Sequence, residues 1–478
     1  MEDKYIAAID LGSYKITLAV ARVRGEDIQI VYYKGIPSDG IKNSIVSIPQ
    51  RTSVPLKKII DDAEKELMIK INQVVVGLPR YSVKQEKATG NLVRTDPEDY
   101  ISREEVEALK SIAIETYPLD DAQTQVMYGA VAQSFSTDDE IQLVENDVVG
   151  RLSNELEGNF KIFFGSRRYT TAIDKIFNSL GIAIAKKYFL PDVVAKTVLN
   201  SDDMDNGVAL VDFGAGVTSV AIYHGGIMRH YAAIPFGGRS ITNDIRTECS
   251  ISEKLAENIK LAYGACIPSK LANLSEKTIQ IRYENAPFKE LSVKYLSEII
   301  DARAREIIDA ILYEIQESNL SDCLRAGVVI TGGSANLVNF ANLLKEKSGY
   351  NVRIGYPKNL FSSAGCTGVY ETSAASAIGM VLSAKEDNLP DCVELPAPEE
   401  EPPVLETVVE EPVASPVDDG LEPLRTLFGD EDLGPVEPPK KKKKEKKVKV
   451  KKTQKDGNIL TIFWTKVKSA IEEEDEGV

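Results

Sequence analysis

The sequence is poor in the residues that usually carry catalysis, disulfides or membrane spans. Its 478 residues include only two histidines, His224 and His230, which leaves little room for histidine-based catalysis or metal binding. The five cysteines are scattered without C-x-x-C spacing, which predicts reduced structural thiols. No run of about 18 apolar residues occurs, so no transmembrane helix is predicted. The acidic start MEDKYIAAIDLG enters a strand pattern at once, which is not typical of a signal peptide.

Negative charge dominates the chain but is unevenly distributed. The net charge of −16 argues against general nucleic-acid binding, and no nucleic-acid partner is expected. Residues 391–439 contain 15 Asp or Glu, one Arg and 10 Pro, a composition that predicts disorder. Residues 440–452 then hold ten Lys and one Glu. We therefore expect a folded body to about residue 385, followed over 386–455 by a disordered linker that is first acidic and proline-rich and then polylysine.

The last predicted element is a short amphipathic helix over 456–473. At helical spacing its apolar side chains share one face, and threonine, lysine and serine lie on the other. We expect the apolar face to lie in a membrane interface, with the polylysine run attracted to anionic lipid. The alternative is a helix that docks on the folded body or on a partner protein. The residues expected to contact the membrane are Ile459, Leu460, Phe463, Trp464, Val467 and Ile471.

One pattern occurs twice in the chain, as IAAIDLGSYKITLAV at 6–20 and as VALVDFGAGVTSVAI at 208–222. Each copy predicts a β-hairpin with an Asp and a Gly at its turn, and the repeat suggests two homologous halves that face a cleft. Two buried aspartates at matching turns suit water-mediated Mg²⁺ binding, and the glycines let the backbone approach phosphate oxygens. The candidates are Asp10, Gly12, Ser13, Tyr14 and Lys15, then Asp212, Gly214, Ala215, Gly216 and Thr218, with Asp10 and Asp212 as the Mg²⁺ pair.

A third segment, GVVITGGSANLVNF at 327–340, predicts a buried strand, a Gly-Gly turn and the start of a helix at about 336. Gly332 and Gly333 would let a flat ligand lie close to the backbone, and a helix N-terminus would add N–H donors. Ser334 and Asn336 complete this candidate group. The sequence has no GxxxxGK[ST] loop and no GxGxxG after a strand, so the P-loop and Rossmann interpretations fail.

In this order and spacing, the three segments resemble the two phosphate motifs and the adenosine motif of the actin-like ATPases. Within that superfamily, residues 4 to about 385 resemble the FtsA family of bacterial cell-division proteins. The segments 223–245 and 256–260, an insertion at 84–160 and the terminal helix are also family-like. The resemblance implies an α/β, actin-like (ribonuclease-H-like) two-lobed fold with an inserted α+β subdomain, then a disordered tail and a C-terminal amphipathic helix.

The resemblance also implies domain boundaries. The first lobe (subdomain 1A) would comprise 1–83 with 161–195, and the inserted subdomain 1C would comprise 84–160. The second lobe (2A) would comprise 196–232 with 306–385, and subdomain 2B would comprise 233–305.

Ligands, partners and a location follow from the same resemblance. ATP and Mg²⁺ are the expected cofactors, with Gly238, Glu257 and Lys260 added to the nucleotide contacts. Subdomain 2B would bind the C-terminal tail of the tubulin-like FtsZ, and the chain would self-associate into filaments. Anionic membrane lipid and other division proteins are further expected partners. The expected location is the cytoplasmic face of the inner (plasma) membrane at the division site, as a peripheral protein.

Two departures from the family pattern bear on catalysis. The second turn is Gly214-Ala215-Gly216, and 186–199 lacks the Glu or Gln that hydrolysing relatives place there, with Asp192 the nearest carboxylate. Without a positioned base we expect ATP binding with slow or absent turnover, and no residue is assigned as catalytic. The alternatives are a pilus-assembly or chaperone-type actin-like ATPase, or a small-molecule kinase on the same fold.

Overall fold

The computed structural model describes residues 3–119, 123–271, 277–283 and 286–394. The predicted amphipathic helix at 456–473 and the predicted linker beyond residue 394 lie outside these residues. Within the described ranges, no helix combines the length and the apolar character needed to cross a bilayer.

The described chain contains both strands and helices throughout its length. The strands are β1 Lys4–Leu11, β2 Lys15–Arg24, β3 Asp27–Pro37, β4 Ile41–Lys42, β5 Ile45–Val46, β6 Lys70–Ile71, β7 Gln73–Gly77, β8 Lys84–Val93, β9 Gln125–Ser136, β10 Glu155–Ser166, β11 Ala183–Tyr188, β12 Val208–Phe213, β13 Thr218–His224, β14 Ile227–Ile234, β15 Thr278–Tyr283, β16 Ala286–Ser292, β17 Gly327–Thr331, β18 Val352–Ile354, β19 Ser362–Ser363 and β20 Val393–Glu394. The α-helices are α1 Pro49–Leu67, α2 Arg103–Thr116, α3 Glu145–Val148, α4 Arg167–Ser179, α5 Leu190–Val198, α6 Ser201–Asn206, α7 Gly238–Cys249, α8 Glu253–Tyr263, α9 Val293–Glu317, α10 Phe340–Ser348 and α11 Ala375–Glu386.

The first half of the chain supplies five strands of a six-stranded sheet with the order β11-β7-β1-β2-β3-β19, and β19 joins it from residues 362–363. β1 pairs antiparallel with β2 and parallel with β7. Alternate residues of β1 enter opposite cores, with Ile6 and Ala8 in one apolar cluster and Ala7 and Ile9 in the other. Because side chains alternate across a strand, a continuous apolar run of this kind is buried on both faces of the sheet.

The second half repeats this arrangement in a five-stranded sheet with the order β14-β13-β12-β17-β18. β12 pairs antiparallel with β13 and parallel with β17, as β1 does with β2 and β7. The predicted duplication of the hairpin is therefore part of a duplicated sheet. The helices α7, α8 and α9 and the β15–β16 hairpin lie between β14 and β17 of this sheet in the chain, and α9 packs its apolar face into the cluster that also holds Phe213 and Ile330.

An insertion separates the two parts of the first sheet. It contains a three-stranded antiparallel sheet, β8-β10-β9, covered by α2. A capping box starts α2, in which Ser102 accepts from the Glu105 N–H and Glu105 accepts from the Ser102 N–H. The predicted end of the insertion at residue 160 falls in the middle of β10, which stays paired with β9 through Ser166. The apolar run in β10 suits either sheet, so the sequence alone did not locate the boundary.

The chain returns to the first sheet before the described part ends. β19 pairs with β3, β20 pairs with β6, and α11 packs in one cluster with β1, β2 and α5. The sequence placed all of 306–385 in the second lobe and started the linker at 386. The structure corrects both boundaries, because α11 packs on the first sheet and Cys392 is buried against the same sheet.

Candidate nucleotide-binding cleft

The first hairpin turn consists of Gly12, Ser13 and Tyr14 between β1 and β2. Asp10 is paired with Thr17 at the end of β1. A Cβ atom on Gly12 would come within 2.6 Å of the carbonyl oxygen of Lys15, so the tight turn needs glycine there. Tyr14 is 54% exposed. Its pKa is raised, mainly by partial burial and to a lesser extent by the negative charge of Glu257. The first turn therefore presents its side chains toward the second half.

The second hairpin turn presents mostly backbone. Asp212 is paired with Ser219, and Gly214 closes the turn by donating its N–H to the carbonyl of Val217 at 3.0 Å. The carbonyl of Ala215 accepts from the Arg239 N–H at 2.8 Å. Thr218, predicted as a nucleotide ligand, is fully buried and donates its hydroxyl to the carbonyl of Phe236 at 2.8 Å.

The two turns lie directly against each other. A Cβ atom on Gly216 would come within 2.7 Å of the Ser13 Oγ and 3.2 Å of the Asn43 backbone nitrogen. Ser13 in turn accepts a hydrogen bond from the Ser44 N–H at 2.9 Å. The structure thus brings the two predicted phosphate turns together, and glycine at 216 is what allows the close approach.

Arg80 lies between the two aspartates and was not identified from the sequence. Its Nε donates to the Oδ2 of Asp212 at 3.0 Å, and its Nη1 lies 3.6 Å from the Oδ1 of Asp10. Its Nη2 donates to the Ser376 Oγ at 2.5 Å. Arg80 follows β7, the parallel neighbour of β1, just as Gly332 follows β17, the parallel neighbour of β12. This equivalence between the halves was the feature of the sequence that could have identified it.

The three charged groups are buried and lie close together. Burial alone would lower the pKa of Arg80, but the carboxylates of Asp10 and Asp212 raise it above its usual value. Burial raises the pKa of Asp212, and the guanidinium of Arg80 offsets part of this rise. The Oδ1 of Asp10 is buried and accepts no hydrogen bond from any described residue. The network therefore has an excess of negative charge and one unsatisfied acceptor.

The Gly-Gly segment packs against the second hairpin. Gly332 has a φ of +92°, and a Cβ atom there would overlap the Oδ1 of Asp212 and come within 2.7 Å of the Phe213 carbonyl oxygen. Ser334 donates its hydroxyl to the carbonyl of Gly214 at 3.0 Å. Gly333 has open space, with its nearest contact at 3.8 Å. The predicted adenosine segment therefore borders the predicted phosphate turn.

The helix predicted to start at about 336 is displaced. A short 3₁₀ segment spans Gly333–Asn336, and α10 begins only at Phe340. Asn339 precedes α10 in a left-handed conformation, with a φ of 63°. The predicted helix N-terminus is therefore not at the Gly-Gly turn. Asn336 donates its side-chain N–H to the Thr372 hydroxyl at 3.2 Å.

Gly238, Glu257 and Lys260 form one cluster beside these segments. The ammonium of Lys260 donates to the carbonyl of Gly238 at 2.9 Å and lies 2.8 Å from Glu257. Burial lowers the pKa of Lys260, and Glu257 opposes that shift. The N–H of Gly238 donates to the Gly214 carbonyl at 3.0 Å, which joins this cluster to the second turn.

The segment 372–376 was missed in the sequence although it touches three parts of the cleft. Lys15 donates its ammonium to the Ser373 hydroxyl at 3.1 Å. Thr372 donates its hydroxyl to the Gly332 carbonyl at 2.8 Å, and Ser376 accepts from Arg80. No turn or glycine motif marks this segment, because its role comes from the path by which α11 returns to the first sheet.

The predicted Mg²⁺ site does not fit this arrangement. Mg²⁺ held through water by Asp10 and Asp212 would have to share the space between them with the Arg80 guanidinium. Two cations at one buried position repel each other strongly. Among the residues that the structure describes, no group of three or more His, Cys, Asp or Glu side chains could hold a metal ion. The residues present therefore do not fit a Mg²⁺ ion held between Asp10 and Asp212.

Asp192 lies away from the turns. It is in the first turn of α5, and burial raises its pKa to about 6, against the charges of Lys196 and Lys110. Its side chain contacts the hydroxyl of Tyr223. Tyr223 is the strand partner of Val208, at the end of the second hairpin opposite the turn. Asp192 is thus not positioned at the phosphate turns.

Comparison with known proteins agrees with this architecture. A family model described as "Cell division protein FtsA" matches residues 209–379. The "Cell division protein FtsA" of Pseudomonas aeruginosa is 27% identical over 385 residues, which cover 79% of this chain and 89% of that protein. The FtsA of Bacillus subtilis is 23% identical over 381 residues, which cover 79% of this chain and 82% of that protein. A solved structure described as "PilM-PilN type IV pilus biogenesis complex" aligns with a TM-score of 0.55 and 13% identity, covering 79% of this chain and 98% of that one.

Two similarly ordered sheets, each with a glycine hairpin at a shared cleft, define an actin-like fold. Within that fold, sequence similarity along most of the described chain points to one group of relatives. The chain is similar in sequence to the bacterial cell-division protein FtsA.

Proposed function

We propose that the chain is an ATP-binding, actin-like scaffold of bacterial cell division. The observation that carries this proposal is the direct contact of the two glycine hairpins, with Asp10 and Asp212 facing Arg80, in a chain similar in sequence to FtsA. The polyphosphate would lie along the two turns. The adenosine would lie between Gly332 and the cluster formed by Gly238, Glu257 and Lys260.

ATP hydrolysis is slow or absent in this proposal. The nearest candidate base in the sequence, Asp192, is engaged with Tyr223 behind the second hairpin. A general base must lie within hydrogen-bond reach of the attacking water, directly or through one further water. The nucleotide then acts mainly as a conformational ligand that controls self-association into filaments.

The scaffold would connect the division machinery to the membrane. By its similarity to FtsA, the region of α7, α8, β15, β16 and α9 would bind the C-terminal tail of FtsZ. The amphipathic pattern at 456–473 would hold the assembly on the cytoplasmic face of the inner membrane, at the division site, where other division proteins join it.

Vesicle co-sedimentation tests the membrane part of this proposal. The full chain and a chain stopped at Lys455 are compared on anionic and neutral vesicles. We expect only the full chain to pellet, and more of it on anionic lipid, because the polylysine run adds electrostatic attraction. If both chains stay in the supernatant, the terminal segment does not bind membrane and the anchoring role is wrong.

Calorimetric titration with ATP tests the cleft. Lys15 approaches Ser373 across the first turn, whereas Lys34 lies on the same sheet but pairs with Glu66. We expect Lys15→Met to weaken ATP binding by at least about tenfold, the loss of one hydrogen bond to a charged group, and Lys34→Met to leave it unchanged. Equal effects of the two substitutions would place the nucleotide elsewhere.

A further inference from the structure

Arg80 is held in a fixed position between the two halves of the cleft, where its positive charge can interact with a polyphosphate. Its guanidinium contacts an aspartate from each half and the Ser376 hydroxyl, and its side chain is only 11% exposed. Its backbone is held from both halves as well. The Arg80 N–H donates to the Ser44 Oγ at 3.2 Å, and the Tyr231 hydroxyl donates to the Arg80 carbonyl at 2.7 Å.

These contacts hold the Arg80 side chain in one position between the two aspartates. Immobilising a long side chain costs conformational entropy, and burying its charge costs solvation, so the position is stable only because both carboxylates and Ser376 satisfy it. The guanidinium of Arg80 then opposes the charges of Asp10 and Asp212 without any metal. A doubly charged cation would gain little there, because the guanidinium already occupies the space between the aspartates.

Guanidinium is also a suitable partner for phosphate. Two of the five N–H groups of Arg80 donate hydrogen bonds to described residues, one to Asp212 and one to Ser376. The remaining donors can serve phosphate oxygens, which guanidinium binds with strong charge-assisted hydrogen bonds. Asp10 keeps an unsatisfied buried oxygen beside the guanidinium, which holds Arg80 electrostatically without using its hydrogens.

We propose that Arg80 is the counter-cation of the bound polyphosphate and takes the place of a divalent metal, so that this cleft binds nucleoside triphosphate without Mg²⁺. The inference rests on the proposed nucleotide site and specifies how that site neutralises its ligand. It distinguishes this chain from a cleft in which two aspartates organise a hydrated metal ion.

The test is calorimetric titration of the full chain with ATP at constant ionic strength, in Mg²⁺ and in EDTA. We expect the affinity of the natural chain to differ by less than about threefold between the two buffers. We expect Arg80→Gln to bind ATP weakly in EDTA and to regain at least about tenfold in Mg²⁺, because the two carboxylates are then free to organise the metal. Arg80→Lys keeps the charge and should remain closer to the natural chain than Arg80→Gln.

Thermal unfolding without nucleotide gives an independent readout. Mg²⁺ alone should raise the unfolding temperature of Arg80→Gln and leave that of the natural chain unchanged, because only the variant has two facing carboxylates without a cation. Arg94→Gln is the matched control, since Arg94 is also a buried arginine and pairs with Glu105 in the inserted subdomain. That variant should gain no response to Mg²⁺.

The outcomes separate the two proposals. ATP binding that falls more than about tenfold in EDTA for the natural chain overturns the role of Arg80 and leaves the nucleotide site standing. Absence of ATP binding in both buffers overturns the nucleotide site and this inference together. Stabilisation of the natural chain by Mg²⁺ alone to the same extent as Arg80→Gln also contradicts the inference.

Discussion

The two hairpins share a sequence pattern and a strand order, but their surroundings differ. The first turn offers side chains: Tyr14 is largely exposed, Lys15 reaches Ser373, and Asp10 keeps an unsatisfied oxygen. The carbonyl of Gly214 in the second turn accepts hydrogen bonds from both Gly238 and Ser334. The duplicated backbone therefore supports two different roles, one turn supplying charged and hydroxyl groups and the other a fixed backbone surface.

This difference follows from what packs on each hairpin. The second turn is enclosed by elements of its own half, with Gly332 against Asp212 and Gly238 against Gly214. The first turn contacts Ser44 of its own half and Gly216 of the other. We therefore expect changes around the second turn to affect stability most, and changes at the contact between the turns to affect ligand binding most.

Substitution of Gly332 by alanine should disrupt the packing against the second hairpin and cause the largest loss of stability. Alanine at a φ of +92° is strained, and its Cβ atom would overlap Asp212. We expect a loss of about 4 kcal/mol in the free energy of unfolding, since strain and overlap add. Urea denaturation followed by circular dichroism measures this loss.

Gly333→Ala is the matched control for that substitution. Gly333 has no positive φ, and the nearest atom to an added Cβ lies at 3.8 Å, which is an ordinary contact. We expect the urea midpoint of Gly333→Ala to stay close to that of the natural chain. Similar losses for both variants would mean that the Gly-Gly turn is sensitive as a whole and that the contact with Asp212 is not the cause.

The hairpins were predictable from the sequence because their information is local. Each copy alternates apolar strands with a glycine turn, and strand 327–331 was found in the same way. The approach of Gly332 to Asp212 was not predictable in detail, since it depends on a left-handed backbone and a 3₁₀ segment that delays α10. Local patterns located the elements, and tertiary packing moved their ends.

Arg80 and the segment 372–376 show the limit of reasoning from motifs. Both lie in the cleft because of neighbouring elements: β7 positions Arg80, and α11 positions the segment 372–376. An arginine after a strand and a serine before a helix are common, and nothing in their own sequence distinguishes them. Thr218 shows the converse error, since its position in the second turn suggested a ligand but its hydroxyl is used by Phe236.

Substitution of Asp192 by asparagine should make the stability of the chain less dependent on pH. The second hairpin contacts α5 through Tyr223 and Asp192, and burial raises the pKa of Asp192 from 3.8 to about 6. A carboxyl group with a raised folded pKa destabilises the fold as it ionises, so the cost grows as pH rises from about 4 to 6 and is complete above that range. We expect Asp192→Asn to be about 2 kcal/mol more stable than the natural chain at pH 7.5.

The difference between the two unfolding curves isolates this effect. Both chains keep His230, whose pKa is lowered by burial to about 4, so both lose stability in acid from that group and its contribution cancels. The gain from Asp192→Asn should shrink to near zero at about pH 4. A variant that is less stable at neutral pH would mean that the ionised carboxylate has a favourable partnership with Tyr223.

Substitution of Gly216 by alanine should give the smallest change in stability and a specific change in binding. Gly216 has no positive φ, so the strain comes from two close approaches of the added Cβ atom, to the Ser13 Oγ at 2.7 Å and to the Asn43 backbone nitrogen at 3.2 Å. We expect the free energy of unfolding to fall by about 1 kcal/mol or less and the affinity for ATP to fall roughly fivefold, since the turns are pushed apart. Ser13→Gly in the same chain removes the Ser13 side-chain atoms and should restore part of the affinity.

The double-mutant cycle of Gly216→Ala and Ser13→Gly therefore measures the coupling between the two hairpins directly. Additive losses would mean that the turns bind the nucleotide independently, whereas a positive coupling would show that the contact at Gly216 makes one site from two copies of the same pattern.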